Sequence, residues 1–131
     1  MNKNYKRRDE IIFGAYKKEK YSGGVRRFNC SRETILNLLE EDFISPDECQ
    51  NCSPYVKDFI EYTEDIDETK FECYAVSPDR DDYRVSIEGV DFIISDTDYD
   101  KVTMAVDISR SADEFSFEHA KNNYYIHAWW D

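Results

Sequence analysis

The chain has 131 residues, carries a formal net charge of −12 and is 40% apolar and 15% aromatic. That length suits one domain, and with only 4 Gly and 3 Pro against 10 Tyr and 8 Phe the composition is not that of a disordered chain. No apolar run approaches the roughly 18 residues of a spanning helix, which excludes an α-helical membrane protein. The patch Ile11–Tyr16 is too short for a secretory signal, so a cytoplasmic chain without membrane contact is expected.

The charge is uneven. Residues 1–28 carry nine Lys and Arg against Asp9, Glu10 and Glu19, so the remainder is more acidic than the whole. Residues 1–8 read as a basic arm open to disorder. Asp9–Tyr16 is rich in β formers and reads as a strand, Ser22-Gly23-Gly24 as a turn, and Val25–Cys30 as a returning strand. The first 30 residues are therefore expected to form a basic hairpin.

Ser31 can cap a helix over 32–42, with Ile35, Leu36, Leu38, Leu39 and Phe43 at helical spacing. Ser45-Pro46-Asp47-Glu48 has the form of a capping box and predicts a single helical turn. Ser53-Pro54 opens a second helix over 54–64 that turns Val56, Phe59 and Ile60 inward. Lys70–Ser77 reads as a strand with Phe71, Cys73 and Ala75 on one face and Tyr74 and Val76 on the other. After an acidic turn, Tyr83, Val85 and Ile87 alternate with polar residues. Gly89 is expected to break or bulge that strand before Val90–Ile94 continues as another. A third helix over 98–110 and a closing hairpin, Glu114–His119 with Tyr124–Trp130 around Lys121-Asn122-Asn123, complete the chain. The fold class is α+β: a single domain over 1–131, with a mainly antiparallel sheet and about three helices.

Cysteines 30, 49, 52 and 73 include one C-x-x-C. Structural zinc prefers two close pairs, each on a tight knuckle, and here only one pair is close. Local packing accounts for most of the thiols. Cys30 and Cys52 precede serine caps, where a small apolar group staples a helix start, and Ile35 is a good staple partner for Cys30. Cys49 can pack in the same way against Ile44, and Cys73 alternates with core residues. The reading is four inert thiols, with a zinc- or thiol-dependent protein as the alternative. His119 and His127 fall on the last hairpin and could approach each other, but a base or metal site would still need a third group.

Asp79, Asp81 and Asp82 lack the glycine and distant glutamate of a calcium loop. Asp96, Asp98 and Asp100 alternate like the start of one, but Lys101 stands where glycine is required. Caps and solvated turns explain these acids better. The C-terminal YYIHAWWD divides into Tyr124, Ile126, Ala128 and Trp130 on one face and Tyr125, His127 and Trp129 on the other. Tyr and Trp carry much of the binding energy at protein interfaces.

No phosphate-binding loop or nucleophile elbow is present. The expectation is a non-catalytic acidic domain without cofactor or bound metal, binding a protein partner that has a basic surface. Its contacts would be Asp79, Asp81, Asp82, Asp96, Asp98, Asp100, Tyr125, His127 and Trp129, with a homodimer through the C-terminal aromatic strand as a further possibility. In composition, immunity proteins and phage-encoded inhibitors of nucleic-acid-binding enzymes resemble this chain. Nucleic-acid binding through the basic hairpin ranks lower, because the acidic remainder repels phosphate.

Overall fold

The computed structural model describes residues 1–131. The elements are α1 (Tyr5–Phe13), a short 3-10 turn (Lys18–Lys20), β1 (Val25–Ser31), α2 (Arg32–Glu40), α3 (Val56–Thr63), β2 (Glu68–Val76), β3 (Val85–Ser95), α4 (Tyr99–Ile108), β4 (Glu114–Ala120) and β5 (Asn123–Trp129). The strands form one five-stranded sheet in the order β1-β2-β3-β5-β4, with every neighbouring pair antiparallel. The α+β class holds, with four helices rather than three. No helix is long and apolar enough to cross a membrane.

The helices line one face of the sheet: α2 packs on β1 and β2, α4 on β3 and β5, and α3 lies between those two helices. The core fills this interlayer. Phe59 of α3 meets Phe71 of β2 and Trp130 edge-on, with ring centroids 5.7 and 5.4 Å apart. Phe43, Ile35, Leu38 and Val56 close over them, each essentially inaccessible to solvent.

The expected N-terminal hairpin is not there. Ile11, Ile12 and Phe13 are β formers, yet the segment is helical because its ends say so. The Asn4 side chain accepts from the Arg7 N–H, and Gly14 closes the helix in the left-handed region at φ 83°. Of residues 1–8, expected as an arm, 5–8 lie in this helix and 1–4 lead into it. The Asn2 side chain donates to the Glu41 carbonyl, and Arg8 is fully buried. Ser45–Glu48 is a hydrogen-bonded turn and not a helical one, closed by Glu48 N–H donating to Ser45 O at 3.1 Å.

Gly89 does not break its strand. β3 runs through it as one element, and the ladder with β2 shifts register between Glu72 and Cys73. Below the shift Ile87 faces the core opposite Cys73, and above it Val90 does so opposite Phe71. The spacing of three between two inward residues is what a bulge produces. The closing hairpin forms as expected. Lys121 and Asn122, both at positive φ, make its two-residue turn.

Candidate functional site

The other face of the sheet has no helix on it. The registers place Glu72, Gly89, Trp129 and Glu114 in one row across it, Lys70, Asp91, His127 and Ser116 in the next, and Glu68, Ile93, Tyr125 and Glu118 in a third. Six strand carboxylates (Glu68, Glu72, Glu88, Asp91, Glu114 and Glu118) therefore stand beside Arg27, already engaged by Glu88, and Lys70, while Arg84, at the corner by Tyr74 and Ser86, is paired with Glu48 and Asp82. The loop between α2 and α3 wraps one corner. There Tyr74 donates to the Gln50 side chain at 2.7 Å and Ser86 to Glu48 at 2.8 Å.

At the centre, Glu72, Asp91 and His127 converge from three adjacent strands. His127 Nδ1 lies 2.6 Å from Asp91 Oδ1 and 3.2 Å from Glu72 Oε2. All three side chains remain partly open to solvent, yet Glu72 Oε2 itself is buried and has no hydrogen-bond partner. Gly89 makes the room. A Cβ at that position would lie 2.9 Å from Glu72 Oε2 and 3.2 Å from the Ala128 carbonyl. Partial burial first, and the neighbouring Asp91 charge second, push the Glu72 carboxyl above its ordinary range.

Among the residues expected from sequence as contacts, Tyr125, His127 and Trp129 share this face on alternate positions of β5. The aspartates do not join them. Asp79, Asp81 and Asp82 sit before β3 and Asp96, Asp98 and Asp100 after it, at opposite ends of an 11-residue strand and so roughly 30 Å apart. Several have local partners: Arg80 and Arg84 hold Asp82, Asp98 caps α4 by accepting from Lys101 N–H, and Asp96 takes His119 at 2.8 Å. The two histidines do not meet. His127 is across from Ser116 on the open face, while His119 is across from Tyr124 and points to the helix side.

The arginines of the first 28 residues are engaged. Arg7 bonds Glu41 and Glu10, Arg8 is buried against Asp9, and Arg26 lies over the Phe13 ring at 3.6 Å. The C-terminal strand β5 lies between β3 and β4, so both of its edges are paired and it cannot add a second copy edge-on. The free edges belong to β1 and β4, and on β4 Phe115 and Phe117 are exposed.

The four thiols do not converge. Cys30 and Cys73 touch in the core, 4.0 Å apart, as small packing groups, whereas Cys49 and Cys52 are exposed. The staple expected of Cys49 is absent, because Ser45–Glu48 is not helical, and Cys52, for which Lys57 is a poor partner, lies before the α3 cap at Tyr55. These two thiols border the largest concavity, about 560 Å³, beside Tyr62 and Asp107 at the α3–α4 end.

Glu72 and Asp91 were not among the residues expected from sequence. The signal was present in outline: Glu72 shares the outward face of its strand with Tyr74, and a glycine inside a strand often marks close approach. What brings them to His127 is strand order, which periodicity does not carry. No protein-family model matches the chain, and no curated protein or solved structure matches it either.

Proposed function

We propose that this chain is a non-catalytic protein-binding domain whose helix-free sheet face engages a basic surface on a partner, as an inhibitor or immunity-type protein does. The observation that carries the reading is the composition of that face. Tyr125 and Trp129 stand in line on a surface where carboxylates outnumber cations. Aromatic side chains supply contact area at little entropic cost, and a one-signed surround speeds association with an oppositely charged partner. The exposed thiols of Cys49 and Cys52 suit a reducing compartment such as the cytoplasm.

The test compares the wild-type chain with a Tyr125→Ala/Trp129→Ala variant, each used as bait in host extract at low and high salt. The expected result is a protein retained by the wild type at low salt, weakened by high salt and lost with the double variant. Retention that ignores both the variant and the salt would sink the assignment of this face. A partner without a basic surface would sink the charge argument.

A further inference from the structure

We infer that Glu72, Asp91 and His127 form a binding site for one divalent transition-metal cation, of the zinc or manganese class, on the open face of the sheet. This is independent of the protein-binding reading and stands on three features of the cluster.

The donor set is the first. Two carboxylates and one imidazole nitrogen from β2, β3 and β5 lie with their ligating atoms all within 4.8 Å of one another. Carboxylate oxygen with imidazole nitrogen is a set that suits borderline divalent ions. Bonds of about 2.0–2.1 Å at tetrahedral angles put donors roughly 3.3 Å apart. The distance from His127 Nδ1 to Glu72 Oε2, 3.2 Å, already matches. The 2.6 Å contact to Asp91 Oδ1 is a hydrogen bond that opens slightly when a cation lies between the two atoms.

The second feature is the charge that the fold leaves uncompensated. Two adjacent carboxylates share a single imidazole. Glu72 Oε2 is buried, aimed at the other two donors, and receives no hydrogen bond. Buried polar atoms are nearly always satisfied, so a buried anionic oxygen with no donor at a convergence of ligands suits a cation. The surrounding charges do not supply one. Arg27 is engaged by Glu88, and Glu88 itself adds negative charge next to Glu72. Lys70 lies across the ladder from Asp91, and Arg84, farther along the face, is held by Glu48 and Asp82.

The third feature is the way the backbone accommodates the ligand. The bulge of β3 at Glu88, opposite Glu72 and Cys73, and the missing side chain at Gly89 together leave room for the Glu72 carboxylate over β3. The remaining coordination positions face solvent. Three protein ligands with open positions is the arrangement of a site that also takes water or a donor from a partner.

The experiment titrates Zn²⁺ by calorimetry into a Cys49→Ser/Cys52→Ser chain, which removes the exposed thiols as competing ligands. One ion per chain is expected, with affinity falling at least about tenfold in both His127→Ala and Glu72→Gln. Binding should also weaken as pH is lowered, because metal ligands must be deprotonated to bind. Circular dichroism of each variant separates ligand loss from unfolding. Glu72→Gln is the near-isosteric variant that keeps the result readable if His127→Ala does not fold. As a second readout, the His127 imidazole resonances should shift on zinc addition and those of His119 should not. No saturable binding below about 1 mM, or binding that both variants leave unchanged, would overturn the site.

Discussion

Two of the polar clusters that set acids against a cationic or titratable partner are built to opposite specifications. Under α1, Arg8 and Asp9 are fully buried, and their charges cancel. Arg8 Nε donates to Asp9 at 2.9 Å, Nη1 to the Val76 carbonyl at 2.9 Å and Nη2 to Tyr21 at 2.7 Å, and the guanidinium lies 4.6 Å from the Tyr83 ring centroid. Tyr21 in turn donates to the second Asp9 oxygen, and burial followed by that bond raises its phenol well above the ordinary value. On the open face, Glu72, Asp91 and His127 are half-buried, net negative, and one oxygen has no donor. The closed cluster ties α1 to the end of β2 and leaves nothing for a ligand to do. The open one is held in place by a glycine and a bulge but is not neutralised by anything in the chain.

The sharpest way to break that contrast is Arg8→Met. It leaves Asp9 buried without a counter-charge, and removal of one partner of a buried pair costs about 3–5 kcal/mol. Chemical denaturation should show that loss, and Arg8→Met/Asp9→Leu should recover part of it because no orphan charge remains. A loss within about 0.5 kcal/mol for the single variant would mean the network is not structural. The next largest effect is Gly89→Ala, which presses a methyl on Glu72 and on the Ala128 carbonyl and should cost about 1–3 kcal/mol. Combining it with Glu72→Ala should return part of the loss, and strict additivity in that cycle would show that Gly89 does not serve Glu72.

The two clusters also differ in how legible they were. The sheet, the last hairpin and the split of YYIHAWWD into two faces follow from alternation alone, since period-two patterns survive any strand order. The Arg8–Asp9 pair was hidden because Lys6-Arg7-Arg8-Asp9-Glu10 looks like a solvated run, and nothing local says that two of its members go inside. The same segment was misread as a strand because Ile11, Ile12 and Phe13 outweighed the cap at Asn4 and the stop at Gly14. The open cluster was half visible. His127 was expected as a contact, but Glu72 and Asp91 reach it only because β3 lies between β2 and β5, an order set by long-range pairing. The aspartates of the two turns were overread for the converse reason: sequence clusters that strand geometry places at opposite ends of the sheet.

A smaller effect sharpens the comparison through pH. With metal chelated, Glu72 has a carboxyl raised by partial burial and by Asp91. A raised acid binds more protons in the folded than in the unfolded chain between its unfolded value, about 4.3, and its folded one. Stability attributable to it is therefore greatest below that window and declines as pH rises through it. Glu72→Gln removes the dependence. The variant should melt slightly higher than wild type near pH 7 and equally near pH 4, by under about 1 kcal/mol because solvent screens a half-exposed group. A variant less stable at pH 7 would mean that the Glu72 charge is compensated after all.

The smallest expected change in stability belongs to Tyr125→Ala. Tyr125 lies on the open face across from Ile93 and Glu118, with nothing packed above it. Its ring gives the fold only cross-strand contact, worth less than about 1 kcal/mol, so the melting curve should move little. If the face is a contact surface, the same substitution should weaken partner retention far more than it weakens the fold, because a ring that is free in the isolated chain becomes covered in the complex. The ratio of the two losses is the quantity to measure. A large stability loss with unchanged retention would place Tyr125 with the interior aromatics such as Phe59 and Trp130, and would leave the acidic face without its anchor.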